Sequence, residues 1–140
     1  MARVSTYVNC LGNTEEAFEV YAAAFGTTIE TRVRFVDAGM ADQLPVEDHH
    51  KMMHIVVPIL AGHVLMGTDM LESQGHAATP GNNISINLEP DSREDADRIY
   101  AALSDGAIED SGLSDMPWGA YWGSWRDRFG IRWMINVPNT

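Results

Sequence analysis

The sequence has a single cysteine, few cations and no long apolar run. Each shortage excludes something. With only Cys10 available, neither an intramolecular disulfide nor a cysteine-rich zinc site can form. Lys and Arg number 9 against 20 Asp and Glu, giving a formal net charge of -11. Such a surface repels phosphate backbones and anionic lipid, and no basic stripe offsets it, so nucleic acid is not expected as a partner. The longest apolar stretch, IVVPILAGHVLM, contains a proline and a histidine and falls short of the roughly 18 residues a membrane span needs. No membrane partner is therefore expected. The opening MARVSTYVNC lacks a basic region followed by a long apolar stretch and a small-residue cleavage site. The expected location is the cytoplasm.

What is present fits a folded protein. A chain of 140 residues suits one domain with a real core, here residues 1–140, and 45% hydrophobic with 21% charged residues is near the globular average. The acidic balance admits a neutral or cationic small molecule more easily than an anionic polymer.

The chain repeats itself. YVNCLGNTEEAFEVYAAAFG, from residue 7, and SINLEPDSREDADRIYAALSDG, from residue 85, each read as strand, turn and helix. Thr14 or Ser92 offers an N-cap oxygen ahead of acidic first-turn residues, which suit the helix dipole. Ala17, Phe18, Tyr21, Ala24 and Phe25 fall at helical spacing before a stop at Gly26; Ala96, Ile99, Tyr100 and Leu103 do so before Gly106. Three strand-like segments follow each helix: TIETRVRF, KMMHIVVPIL and HVLMGTD, then a weak one near Ala107 to Asp110, AYWGSWRD and IRWMINV. The order is β-α-β-β-β, used twice, with a first module over about residues 1–70 and a second over about 82–140. The polar loops DAGMADQLPVEDHH and LESQGHAATPGNN read as mobile, solvated connections, the latter dividing the halves.

This duplicated unit resembles the vicinal-oxygen-chelate superfamily of glyoxalases, bleomycin-resistance proteins and dioxygenases, and within it the PhnB-like group. The similarity is carried by YVNCLGNTEEAFEVYAAAFG, MMHIVVPILAGHVLMGTDM and MPWGAYWGSWRDRFGIRWMINV, in that order. The last is the most specific: an aromatic-Trp-Gly strand, an Asp-x-Phe-Gly turn and a Trp-Met-Ile-Asn strand. The resemblance implies an α+β fold in which two modules form a curled mixed-sheet cup with helices outside. It also implies a ligand in the cup and a homodimer. No glycine-rich nucleotide-binding loop accompanies it, which speaks against the methyltransferase label sometimes attached to relatives.

Metal-dependent members take His and Glu ligands from four matched strand positions, because a divalent ion needs several converging imidazole or carboxylate donors. The closing ligand is a Glu four residues after the turn glycine; from Gly130 that place holds Met134. The other places fall at Ser5 or Thr6, at Ser85 or its neighbours Asn83 and Ile84, and near Met66 or Gly67. None is a strong ligand for a hard ion. The expectation is therefore no metal cofactor. A displaced site would draw on His49, His50, His54 and His63, with Asp69 beyond.

Alternation along strands sends Val8 and Cys10 toward the helix and Tyr7 and Asn9 toward the ligand face. In the second module Ile84, Ile86 and Leu88 should pack while Asn83, Ser85 and Asn87 face the ligand. Trp118, Tyr121, Trp122, Trp125 and Trp133 crowd into sixteen residues; some fill the core, and Trp118 and Trp122 are the expected ligand contacts. Asn9, Ser85, Asn87 and Met134 complete that expected surface. Arg34, Arg126 and Arg132 read first as surface ion pairs and second as anion anchors. Chemistry without a metal would rest on His54 with Asp69, and on Tyr7 as proton donor. Cys10 faces the helix without an activating neighbour and is not a candidate nucleophile. The leading expectation is a metal-free dimeric cup holding a small aromatic or cationic molecule. The alternative is a glyoxalase- or dioxygenase-type lyase, isomerase or oxidoreductase using a displaced metal or His54.

Overall fold

Alternating side chains, a capped helix and three antiparallel strands recur in both halves of the chain. The structure, a computed structural model, describes residues 2–139 and divides them into two units, with the division between Thr79 and Pro80. It falls in the loop that separates the repeats in sequence.

The first unit runs β1 (Thr6–Cys10), α1 (Thr14–Phe25), β2 (Thr31–Arg34), β3 (Met52–Pro58) and β4 (Val64–Asp69). Its sheet has the order β1-β4-β3-β2, with β1 parallel to β4 and the other neighbours antiparallel. Val8 and Cys10 are buried while Tyr7 and Asn9 are exposed. Ala17, Phe18 and Tyr21 of α1 are fully buried, so the apolar stripe of the helix lies on its own sheet. The approach is close at Gly67 of β4, where an added Cβ would stand 2.8 Å from the Phe18 ring. A residue with any side chain would push the helix away.

The second unit repeats the order with β5 (Ile86–Leu88), α2 (Arg93–Leu103), β6 (Ser114–Met116), β7 (Ala120–Arg126) and β8 (Arg132–Pro138). Its sheet is β5-β8-β7-β6, again with only the first pair parallel. Ala96, Ile99 and Leu103 of α2 are buried together with Trp125, Trp133 and Ile135. The fold is thus the expected α+β arrangement of two β-α-β-β-β modules.

Four expectations need correction. Thr14 is the first helical residue and not the cap: Asn13 occupies the cap without a side-chain bond, and the Thr14 amide is held by Asp69 Oδ1 at 2.9 Å. Ser92 does cap, accepting from the Asp95 amide. The weak strand near 107–110 reduces to one bridge, Ile108 with Arg126, because Glu109 turns the chain at φ 51; pairing with β7 is taken up by Ser114–Met116. Ile84 is 80% exposed, since the ladder that would bury it starts only at Ile86. Finally, the loop after β2 is built of three 3-10 turns around buried Asp48, which accepts from Lys51 Nζ at 2.7 Å and from Ser73 Oγ at 2.5 Å.

Candidate ligand-binding site

Each sheet has a helix-covered face and a face turned away from its helix. In the first unit the latter carries Tyr7 and Asn9 of β1, in register with Met66 and Thr68 of β4, and His54 of β3. Tyr7, 50% exposed, lays its ring on the His54 imidazole with centroids 6.0 Å apart, and its Oη is 3.4 Å from His54 Nδ1. Asn9 is exposed beside them.

Asp69 does not join this group. It lies on the helix side of β4, with Oδ1 accepting from the Thr14 amide and Oδ2 from the Met52 amide at 2.8 Å. Both oxygens are committed to backbone, so the expected His54–Asp69 pair is not formed. Strand alternation separates the two across the sheet. A buried acid near a histidine in sequence gave the right residue types and the wrong faces.

Three of the four remaining histidines have partners for their side chains, while His50 accepts from Arg34 Nη1 through its backbone carbonyl. His63 Nε2 lies 2.8 Å from Thr6 Oγ1, His49 Nε2 lies 2.9 Å from the Ala41 carbonyl oxygen, and His76 Nδ1 accepts from the Leu71 amide. Among the described residues, no three or more His, Cys, Asp or Glu side chains stand together as a metal site.

The second unit presents the richer surface. On the face opposite α2, β7 and β8 form three rungs: Trp122 beside Asn136, Ser124 beside Met134, and Arg126 beside Arg132. Asn87 of β5 flanks Met134 on its other side. Trp118, 65% exposed in the turn before β7, stands edge-on to Trp122 with ring centroids 6.2 Å apart. Trp118, Trp122, Met134 and Asn87 are thus parts of one region, whereas Ser85 is exposed ahead of β5 and outside the ladder. Trp125 and Trp133 point the other way and are fully buried. Asn87 spends an amide hydrogen on Glu89.

Arg126 and Arg132 share one counterion. Arg126 Nη2 lies 3.1 Å from Glu109 Oε1, and Arg132 Nη1 donates to Glu109 Oε2. The Arg132 side chain is only 14% exposed, and its Nε is buried without a hydrogen-bond partner. Glu109 carried no signal in the sequence, because its role depends on the turn that carries it back over β7. Arg34 instead bonds Glu15 on the helix face, and its guanidinium holds the Glu15 carboxyl below the usual range.

The Asp-x-Phe-Gly turn lies at the end of these strands. Asp127 Oδ1 accepts from the Phe129 and Ile131 amides at 2.9 and 3.0 Å, Oδ2 accepts from the Trp133 indole at 2.8 Å, and Gly130 takes φ 92. The glycine is needed because that conformation disfavours any side chain. Gly123, after Trp122, answers a different demand: an added Cβ there would lie 2.1 Å from the Gly112 carbonyl oxygen. The motif is the scaffold of the site, holding β7 and β8 in place.

A family model described as "Glyoxalase/Bleomycin resistance protein/Dioxygenase superfamily" matches residues 4–135. The chain belongs to this superfamily. Protein PA1353 from Pseudomonas aeruginosa is 28% identical over 100% of both chains, with a TM-score of 0.83. A PhnB protein from Bacillus cereus is 19% identical, with 97% of this chain and 99% of that one covered and a TM-score of 0.80. A glyoxylase/bleomycin resistance protein/dioxygenase domain from Frankia sp. EAN1pec is 14% identical over 99% and 97% of the two chains, TM-score 0.63. The last two likenesses are of fold. No curated protein matches at a significant level.

Glyoxalase-fold enzymes that hold a metal need strong donors at the matched strand positions. Here Ser5 Oγ reaches Met66 Sδ at 4.0 Å, and Met134 sits between Asn87 and Ser124. Thioethers are poor donors to hard divalent ions, and a neutral hydroxyl without imidazole or carboxylate partners does not make up the set, so these residues do not fit the group.

Proposed function

We propose that this glyoxalase-fold chain is a metal-free, dimeric cytoplasmic protein that binds a small aromatic molecule. The observation that carries the reading is the pair of tryptophans on the helix-free side of the second sheet. Trp118 is largely exposed and meets Trp122 edge-on, at the end of a strand face lined by Ser124 and Met134. An edge-to-face pair leaves one ring surface open to a third aromatic group, and stacking of this kind contributes about 1 kcal/mol beyond area burial. Met134 adds a polarizable, adaptable wall, and Asn87 and Ser124 offer polar contacts for orientation. The weak donors at the metal positions support the metal-free part. The acidic surface charge keeps such a protein away from nucleic acid and anionic lipid.

The test is a panel of aromatic compounds titrated by calorimetry into protein treated with chelator, with light scattering to read the mass in solution. Binding that survives chelation and falls at least about tenfold in Trp122→Ala is expected. Binding that needs added Zn, Mn, Ni or Fe would sink the metal-free reading, and a monomeric mass would remove the dimer. His54→Ala separates this reading from a histidine-based enzyme: affinity should stay unchanged, whereas loss of a turnover activity would favour the enzyme. The contact of Tyr7 with His54 is the geometry that favours the enzyme reading.

A further inference from the structure

We infer that Arg126 and Arg132 form a recognition site for the carboxylate of a small organic acid, and that Glu109 is an internal stand-in occupying it. This deepens the small-molecule reading and rests on it, since the two arginines lie on the same sheet face as Trp122.

Two guanidiniums on directly opposed residues of neighbouring strands repel each other, so the arrangement needs an anion. The chain provides one at a cost. Glu109 takes φ 51, a left-handed conformation that disfavours a residue with a side chain. Its two carboxylate oxygens go to different arginines, Oε1 to Arg126 and Oε2 to Arg132. One negative charge on two positive ones leaves a net positive centre, in a chain whose formal net charge is -11.

The match is also incomplete. Glu109 reaches Arg132 only through Nη1, while the buried Nε has no hydrogen-bond partner. A carboxylate free of backbone constraint can accept from Nε and Nη together, the two-pronged geometry in which arginine binds carboxylates most strongly. The Trp122, Ser124 and Arg126 side chains share one strand face, with two residues per step. That places the tryptophan about 13 Å along β7 from the arginine pair, with Met134 beside the path. The ligand class is thus an acid with an apolar or aromatic body, its carboxylate on the arginines and its ring toward Trp122.

The experiment uses 4-phenylbutanoate and its primary amide, titrated by calorimetry into the full chain. Asparagine tolerates the left-handed conformation, so Glu109→Asn removes the stand-in without adding backbone strain. It should bind the acid about tenfold more tightly than the parent chain, with the amide unchanged within about twofold. Arg132→Met added to Glu109→Asn should cancel the gain. If Glu109→Asn proves unfolded by circular dichroism, Glu109→Gln carries the same expectation. Equal binding of acid and amide in both chains, lost in Trp122→Ala, would overturn the carboxylate site while leaving the aromatic reading intact. No binding of either compound to any variant would overturn both.

Discussion

Asp69 and Asp127 show how differently two buried acids can be used from how they read in a sequence. Each has both oxygens committed to fixed donors, Asp69 to the amides of Thr14 and Met52, Asp127 to two amides and an indole. Removing such an acceptor strands buried donors. Asp127→Ala and Asp69→Ala should each lower stability by about 3 kcal/mol, seen as a shift of the denaturant midpoint. An unchanged midpoint would show that water replaces the carboxylate. His54→Ala, at a half-buried position on the other face, should shift the midpoint by less than about 0.5 kcal/mol. The Asp-x-Phe-Gly turn was readable because its bonds are local. The Trp133 indole on Asp127 and the amide of Thr14 on Asp69 were not, since the first joins strands across a turn and the second spans the whole module.

At the scale of elements, the two helices start by different means. Ser92 caps α2 with its own side chain, whereas the start of α1 is held by Asp69 from a distant strand. Ser92→Ala should therefore cost about 1 kcal/mol, and Asn13→Ala close to nothing, in thermal or denaturant unfolding. A large loss in Asn13→Ala would refute this division of roles. The close approach at Gly123 makes a sharper prediction. The segment before β6 crosses it, with the Ser111 amide donating to the Ser124 carbonyl at 3.0 Å and Ser111 Oγ accepting from the Ser124 amide. A methyl group would collide with backbone and not with a flexible side chain. Gly123→Ala should release that segment and speed hydrogen exchange at Ser111 and Ser124, while exchange in α2 stays slow. Sequence marks such a glycine only as part of a motif; the reason for it is contact between segments.

For the molecule as a whole, the ion pairs set how stability responds to acid. The hydrogen bond from Lys51, then that from Ser73, holds the Asp48 carboxyl below the ordinary carboxylate range, and the Arg34 guanidinium does the same for Glu15. A carboxyl whose folded pKa is depressed contributes stability that is fully present above its unfolded pKa, about 4, and is lost as pH falls through the folded value. Melting temperature should thus hold from pH 7 down to about 4 and drop below it. Asp48→Asn should start lower at pH 7, and its gap to the parent chain should narrow in acid. A constant gap would mean the contribution of Asp48 is not electrostatic. On the alkaline side, burial and the bond to Asp110 raise the Tyr100 pKa, and the bond to Asp97 raises that of Tyr121. Their stabilisation is present below about pH 10 and fades as pH rises past it.

Local patterns were enough to determine the repeated β-α-β-β-β order, the buried helix stripes, the Gly26 stop and the strand faces of β1. These follow from periodicities of 3.6 and 2 and from turn residues, which act over a few positions. The aromatic pair Trp118 and Trp122 belongs to the same class, being close in sequence. Which face a residue of β4 shares with one of β3, what seats Glu109 on two arginines, and why Gly67 and Gly123 have no side chain were decided only by tertiary structure. Each depends on register and contact between segments far apart in the chain, where a single residue of offset turns a side chain to the opposite face.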